Sequence, residues 1–258
     1  MPTPLPAHST SLLTPDDPDP VEIVNPDSDH PILLVCEHAG RAVPSVLGDL
    51  GLPAGEIDRH IGWDIGAEAV ARRMADRLGC TCILQRYSRL VIDCNRPPEA
   101  GDSMPTVSDG TTVPANLDLD ADARSARVAE IFQPFQDAVA DHLDRPVRKG
   151  AMSIHSFTPV YGGVSRPWDI GFLFRKDERT STALAAIIQD RAPDLTIGMN
   201  QPYDIDDTSD WFVPRHVEPR GLPHSLIEIR HDHIGAPGGQ DRWAHLLSLT
   251  LTHWLEET

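Results

Sequence analysis

Side chains that bind metals follow apolar runs of the sequence at points where strands are expected to end. His38 comes just after the apolar run Ile32–Cys36, His155 closes a later run, and Asp64 lies between them in the chain. Two imidazoles and a carboxylate suit zinc and leave a fourth position for water. This pattern favours a metal site, although His38 alone also suits a strand-end histidine bonded to backbone, and Asp64 also suits a helix cap.

Glu228 is an acidic residue inside the apolar pattern Ser225–Arg230. A buried carboxylate needs a partner or a task, because burying an unpaired charge is costly. One interpretation is a salt bridge with an arginine such as Arg230. The other is a general base, since a bound metal lowers the pKa of its water to about 7 and a nearby carboxylate can move the proton to a leaving amine.

The segment 86–96 concentrates positive charge in an acidic chain. It contains Arg86, Arg89 and Arg96 together with Asn95, whereas the whole sequence has 22 basic and 39 acidic residues. Arginine binds carboxylates through a planar fork of donors. We therefore expect Asn95 and Arg96 to bind a substrate carboxylate, with solvated surface charges or pairing with Asp residues as the alternative, above all for Arg86.

The bulk composition excludes several classes of partner. A formal net charge of −17 repels phosphate backbones and anionic lipid, so neither nucleic acid nor a membrane is expected as a partner. No apolar run reaches the roughly 18 residues of a membrane helix, and no signal peptide is apparent. We expect a cytoplasmic protein with reduced cysteines, because none of the four forms a C-x-x-C pair: Cys36, Cys80, Cys82 and Cys94.

Strand patterns alternate with helical patterns along the chain. Such alternation predicts an α/β fold of three layers, hydrolase-like, with a largely parallel or mixed central sheet and helices on both faces. Residues 1–27 are predicted to be a flexible, acidic, Pro-rich tail with a possible strand at Val21–Val24, and 28–258 a single domain. Helices are predicted at 58–78, 119–143 (kinked at Pro134), 181–190 and 240–256, and strands at 32–36, 81–85, 90–93, 151–155, 170–174, 196–199 and 225–230.

The order of short motifs resembles the N-formylglutamate amidohydrolase family, whose relatives include the zinc carboxypeptidases and aspartoacylases. The resemblance extends from residue 31 to about residue 235. It rests on six motifs: Glu37-His38-Ala39-Gly40, Arg59-His60-Ile61-Gly62-Trp63-Asp64-Ile65-Gly66, Asp93-Cys94-Asn95-Arg96, His155-Ser156-Phe157-Thr158-Pro159, Asn200-Gln201-Pro202-Tyr203 and Glu228-Ile229-Arg230.

The resemblance implies a role for each matching residue. It makes His38, Asp64 and His155 ligands of Zn²⁺ and Glu228 the general base. One departure is that the carboxypeptidases' His-x-x-Glu is absent, because Arg41 stands three residues after His38, so Asp64 must supply the carboxylate. The remaining roles are polarisation of the scissile carbonyl by Arg89 and substrate binding by Asn95, Arg96 and Arg230.

These inferences lead to one main functional hypothesis and two alternatives. The main hypothesis is a zinc-dependent amidohydrolase that removes a formyl or small acyl group from an acidic amino acid such as N-formyl-L-glutamate. The first alternative is a metal-free thiol amidase in which Cys36 is the nucleophile and His38 its base. The second is a non-catalytic protein that binds an acidic metabolite.

Overall fold

A seven-stranded mixed sheet forms the centre of the molecule in the computed structural model, which describes residues 11–258. The order across the sheet is β1-β3-β2-β6-β11-β9-β10. The strands, which include two small hairpins outside the sheet, are β1 (Val21–Val24), β2 (Ile32–Cys36), β3 (Thr81–Gln85), β4 (Val107–Ser108), β5 (Thr111–Thr112), β6 (Gly150–Phe157), β7 (Val160–Tyr161), β8 (Val164–Ser165), β9 (Ile170–Leu173), β10 (Ile197–Met199) and β11 (His224–Arg230).

The central strands run parallel, and both flanks contain reversals. β2 is parallel to β3 and β6, and β6 is parallel to β11. At one edge β1 is antiparallel to β3; towards the other edge β9 is antiparallel to β11, and β10 runs parallel to β9. The predicted mixed sheet is thereby confirmed, and the parallel strands end at one edge, where ligand sites of such folds form.

Helices cover both faces of the sheet, which confirms the three layers. In β2, Leu34 and Cys36 belong to a core with α1, α4 and α5, whereas Leu33 and Val35 belong to a core with α3 on the other face. Burial on both sides explains why β2 is apolar at every position, and each such side chain stabilises the fold by about 1.5–3 kcal/mol. The helices are α1 (Ala67–Leu78), α2 (Ala121–Arg127), α3 (Gln133–Leu143), α4 (Glu178–Arg191) and α5 (Pro237–Glu256).

The predicted helix at 58–78 and the predicted strand at 90–93 differ from the structure. The helix expected over 58–78 begins only at Ala67, because Gly66 has a positive φ of 82° and the backbone N–H of Asp64 donates to the carbonyl of His38. The strand expected at 90–93 is a buried turn outside the sheet. Its apolar residues pack beneath α2 and α3, where Arg127 donates to the carbonyl of Val91, so burial there does not come from strand pairing.

The long helix expected over 119–143 is interrupted by irregular backbone. Residues 128–132 form a π-helical segment between α2 and α3, directly before Pro134. A proline lacks the N–H of a regular helix, and widened turns are one way in which helices accommodate such interruptions. The helix is thus irregular in the turn before Pro134, while Pro134 itself lies in the first turn of α3.

The first residues that the structure describes pack against strand β3 and against the π-helical segment that precedes α3. β1 extends the sheet through four pairs with β3, and Leu12 is buried beside Glu130, whose carboxylate accepts the backbone N–H groups of Leu12 and Leu13. Residues 11–27 thus differ from the flexible tail expected over 1–27, while 1–10 lie outside the described part. None of the helices among residues 11–258 combines the length and apolar character needed to cross a membrane.

Candidate metal centre

A cavity of about 630 Å³ opens at the edge of the sheet where the central parallel strands end. His38 follows β2, His155 lies on β6 and Glu228 on β11, so three neighbouring strands bring them to one place. All three line the cavity together with Asp64. The side chains predicted to carry the chemistry are therefore neighbours in space although they are far apart in the chain.

His38, Asp64 and His155 form a buried cluster whose donor atoms all lie within 4.8 Å of one another. Nδ1 of His155 is 2.9 Å from Oδ2 of Asp64, and Nδ1 of His38 is 3.5 Å from Oδ1 of the same carboxylate. The carboxylate of Asp64 thus lies between the two Nδ1 atoms. These three residues are the metal ligands predicted from the sequence, and the structure brings them together.

A second pair of carboxylates holds the far side of each imidazole. Nε2 of His38 is 2.7 Å from Oδ1 of Asp93, and Nε2 of His155 is 3.0 Å from Oε2 of Glu37. Oε2 of Glu37 also accepts the hydroxyl of Ser153 at 2.6 Å. Carboxylates behind ligating histidines fix the tautomer and the orientation of the ring. With Nε2 of His38 donating to Asp93, its Nδ1 presents a lone pair to the cluster, whereas Nε2 of His155 lies near Glu37 without forming a hydrogen bond.

The donor set fits a divalent cation. Nδ1 of His38 is buried and has no hydrogen-bond partner among the described residues, which is costly for a nitrogen without a ligand. Burial alone would lower the pKa of His155, yet the carboxylates of Glu37 and Asp64 raise it well above its ordinary value. The cluster therefore favours added positive charge, which a metal ion supplies as well as a proton does.

Asp64 reaches the cluster from a turn ahead of α1, not from the first turns of the helix as expected. Its backbone N–H donates to the carbonyl of His38 at 3.0 Å, and its Oδ2 accepts the backbone N–H of Ser156 at 3.0 Å. Although burial opposes ionisation, His38 and His155 hold the pKa of the Asp64 carboxyl below its ordinary range. The carboxylate is thus charged and fixed beside both imidazoles.

Glu228 is buried beside the cluster with one oxygen unsatisfied. Its Oε2 has no hydrogen-bond partner among residues 11–258, and burial raises the pKa of its carboxyl to about 7. A carboxyl with this pKa can both accept and release a proton near neutral pH. The competing interpretation, a salt bridge with Arg230, is absent from the described residues.

Arg230, which was expected to bind substrate, does not line the cavity. It is the last residue of β11, and its guanidinium lies 3.2 Å from Asp169 and 2.8 Å from Asp232. Two carboxylates thus engage its charge at the end of the strand. Arg230 belongs to the same sequence motif as Glu228, but it does not line the cavity that Glu228 lines.

Arg89 and Arg96 both line the cavity, as expected for an anion site. Arg89 lies 3.3 Å from Oδ1 of Asp64 and 2.7 Å from Oδ2 of Asp93. Arg96 lies 3.1 Å from the exposed Asp102, and its next carboxylate is Asp210 at 3.9 Å. Arg96 is therefore the less tightly engaged of the two arginines.

Asn95 lines the cavity, but its amide is committed to the protein. Its Oδ1 accepts the backbone N–H groups of Trp211 and Phe212 at 3.1 and 2.9 Å, and its Nδ2 donates to Asp210 at 3.4 Å. The amide therefore connects the segment after β3 to the segment after β10. Arg86, whose role was left open, pairs with Glu68 away from the cavity.

The sequence reasoning missed the supporting role of Glu37 and most of the role of Asp93. Glu37 directly precedes the proposed metal ligand His38, and Asp93 opens the motif that contains Asn95 and Arg96. These positions within recognised motifs were the signal that could have identified both carboxylates. Oδ1 of Asp93 also accepts the backbone N–H of Asn95 at 2.9 Å and so orients the turn that follows it. Tyr203, the last residue of the motif Asn200-Gln201-Pro202-Tyr203, also lines the cavity.

Cys36 is poorly placed to act as a nucleophile. Its side chain is fully buried and packs in the core shared with α1 and α5, and it does not line the cavity. Burial, reinforced by Asp64 and Glu37, raises the pKa of the thiol well above its ordinary value. Because the thiolate is the reactive form, this environment disfavours the thiol amidase alternative.

The family assignment follows from comparison with known proteins. A family model described as N-formylglutamate amidohydrolase matches residues 30–235. The chain belongs to this family. Membership makes it a hydrolase of amide bonds and confirms the resemblance seen in the motifs.

Solved structures agree with this assignment. Gene product Atu2144 from Agrobacterium tumefaciens is 38% identical, with a TM-score of 0.90 over 95% of this chain and 98% of that one. An N-formylglutamate amidohydrolase from Ralstonia eutropha JMP134 is 16% identical, with a TM-score of 0.64 over 93% and 98% of the two chains, and so shares the fold. No curated protein is significantly similar in sequence.

Proposed function

We propose that this family member is a zinc-dependent amidohydrolase that removes a formyl or other small acyl group from an acidic amino acid such as N-formyl-L-glutamate. The supporting observation is the cavity in which the His38, Asp64 and His155 cluster, the unpartnered carboxyl of Glu228 and two arginines meet. A hydrolase needs a polarised carbonyl, an activated water and a proton carrier at one point, and these residues suit those tasks.

The metal would be held by Nδ1 of His38, the carboxylate of Asp64 and Nδ1 of His155. A bound zinc ion supplies Lewis acidity, which polarises a carbonyl and lowers the pKa of water to about 7. Asp93 accepts the Nε2–H of His38 and so orients that ring, and Glu37 places a carboxylate 3.0 Å from Nε2 of His155. The protein's contribution is thus a rigid ligand set of two neutral imidazoles and one carboxylate.

Glu228 moves the proton. In its ionised form it takes one proton from the attacking water as the new C–O bond forms at the amide carbon. It then delivers that proton to the nitrogen as the C–N bond breaks, which yields a carboxylic acid and an amine. The acid keeps the second proton of the water and, at neutral pH, ionises to a carboxylate while the amine takes up that proton. Burial, which raises the pKa of Glu228 to about 7, makes both transfers possible at the same pH.

Arg89 and Arg96 serve the charged parts of the substrate. Arg89, held between Asp64 and Asp93, is placed to stabilise negative charge that develops on the carbonyl oxygen. Arg96 has an exposed and exchangeable partner in Asp102, so a substrate carboxylate can compete for its guanidinium. Asn95 supports the wall through its bonds to the segment at Trp211.

The decisive experiment combines metal analysis with hydrolysis of N-formyl-L-glutamate. The purified protein should contain about one zinc per chain, lose activity on chelation and regain it with added Zn²⁺. Glu228→Gln should keep the metal and lose turnover, whereas Glu178→Gln, an exposed carboxylate on α4, should behave like the wild type. Activity that survives complete metal removal would refute the zinc mechanism, and tight binding of the substrate without turnover would favour the binding-protein alternative.

A further inference from the structure

A hairpin and a turn bring an arginine and two tyrosines together at the cavity wall. Strands β7 and β8 form a hairpin closed by Gly162 and Gly163, whose φ angles of 55° and 80° suit a two-residue turn. Arg166 follows this hairpin, and its guanidinium lies 4.8 Å from the ring centroid of Tyr161 and 4.9 Å from that of Tyr203. Both tyrosines line the cavity.

Tyr203 reaches the cavity because the chain after β10 crosses back over β9. Asn200, with a φ of 51°, makes the turn: its N–H donates to the carbonyl of Phe172, and its Oδ1 accepts the N–H of Phe174. The carbonyl of Gln201 then lies directly against Gly171, where a side chain would collide with it. The glycine therefore allows the close crossing that places Tyr203 beside the site.

The O–H group of Tyr203 is available to donate a hydrogen bond. Nη1 of Arg166 donates to its oxygen at 3.0 Å, and its own O–H has no acceptor among residues 11–258. Burial and the charge of Glu228 raise the pKa of the phenol, so the proton is retained. A hydroxyl that accepts a bond from a cation is a stronger donor, since such bonds polarise one another.

The charge of Arg166 is also uncompensated within the described residues. Arg89 and Arg96 have carboxylate partners, whereas the guanidinium of Arg166 donates hydrogen bonds only to Thr158 and Tyr203 among residues 11–258. Its Nε and Nη2 have no protein partner in residues 11–258. Arg96 follows β3 and Arg166 precedes β9, and the strands with His38, His155 and Glu228 lie between those two in the sheet order.

We propose that the O–H of Tyr203, positioned and polarised by Arg166, binds one carboxylate of a dicarboxylic substrate, while Arg96 serves the other. Tyr203 touches the substrate, and Arg166 acts through it. This inference rests on the proposed hydrolase function and extends it, because it assigns selection for a diacid to a pair of residues outside the arginine-rich segment. The amide of Asn95 already forms hydrogen bonds to Asp210, Trp211 and Phe212, so a second carboxylate would be bound by another donor.

The test compares N-formyl-L-glutamate with its two mono-amides, N-formyl-L-glutamine and N-formyl-L-isoglutamine. Tyr203→Phe should lower the preference in kcat/KM for the diacid over one mono-amide by about tenfold or more, as expected for a bond to a charged group, mainly through KM. Arg166→Leu should lower the same preference, and Arg166→Lys should restore part of it. The matched control is Arg215→Leu, since Arg215 is exposed, lies over Trp211 and is remote from this pair.

A uniform loss on all three substrates, or an unchanged preference, would overturn the inference. Titration with glutarate, a dicarboxylate that is not hydrolysed, separates it from the hydrolase proposal. If the wild type cleaves none of the amides, a tenfold weaker glutarate affinity in Tyr203→Phe still supports the binding role. Glutarate affinity that is undetectable in the wild type, or equal in the variant, overturns it.

Discussion

Glu228 and His155 occupy paired positions on the adjacent parallel strands β11 and β6. The proposed base and a proposed ligand are therefore spaced by strand register, because neighbouring strands lie about 4.8 Å apart. A one-residue shift would turn either side chain to the opposite face of the sheet. The relative placement of the two groups thus depends on backbone pairing more than on the side chains around them.

Replacement of Glu228 by Gln should lower kcat by about 10²–10⁴-fold without loss of metal, because the amide cannot accept the proton. Steady-state kinetics with metal analysis of the same sample would measure both. Glu178→Gln provides the control for a change of charge alone. A variant that retains more than a tenth of wild-type kcat would exclude Glu228 as the base.

Asp93→Asn should weaken zinc affinity about 10–100-fold by removing the carboxylate behind His38. Competition with a chromophoric chelator would measure the dissociation constant. Asp169→Asn is a matched control, since Asp169 lies the same 2.7 Å from a histidine, His233, outside the cavity. Equal zinc affinities in the two variants would show that Asp93 does not support a ligand.

Gly171→Ala should destabilise the protein by about 2–3 kcal/mol, because its methyl group would collide with the carbonyl of Gln201. The shift of Gln201 should also displace Tyr203 and reduce kcat/KM. Urea unfolding and kinetics would measure the two effects. Gly101→Ala, at a position with open space around the added carbon, should change neither, and equal stability of both variants would contradict the crossing described for residues 200–203.

His216 should make stability depend on acidity. Burial lowers the pKa of its imidazole from 6.5 to about 4 in the folded protein. Between these pH values the unfolded chain binds a proton that the folded chain does not, so stability falls as pH drops from 6.5 to 4, by up to about 3 kcal/mol.

Urea unfolding of the wild type and His216→Gln across that pH range would measure the contribution of His216. The variant should show a flatter pH dependence, whereas His245→Gln, which changes an exposed histidine, should follow the wild type. Parallel curves for His216→Gln and the wild type would show that the imidazole is protonated in the folded state.

The sheet and the metal cluster could be predicted from sequence because each depends on local patterns. Strands buried on both faces appear as unbroken apolar runs, and His38 and His155 stand where two such runs end. The run at 90–93 looked identical but is buried beneath α2 and α3 instead of paired. Burial has several causes, and an apolar pattern does not distinguish among them.

The sequence does not show the roles of polar residues whose hydrogen-bond partners come from distant segments. Asn95 was predicted to bind substrate, yet its amide is occupied by backbone groups more than a hundred residues further along the chain. The resemblance to the family implied that Arg230 binds substrate, yet Asp169 and Asp232 engage it. Motifs identify which chemical groups are present. Tertiary packing determines which of their hydrogen-bond donors and acceptors remain available to a substrate.

The reversed direction of β9 determines which end of this strand borders the site. Because β9 is antiparallel to β11, the segment that enters it, and not the one that leaves it, approaches Glu228. The β7–β8 hairpin belongs to that entering segment and lies outside the main sheet. Insertions or exchanges in this hairpin can therefore reshape the mouth of the cavity while strand order stays intact, which makes it a natural position for divergence of substrate preference and for loop grafting.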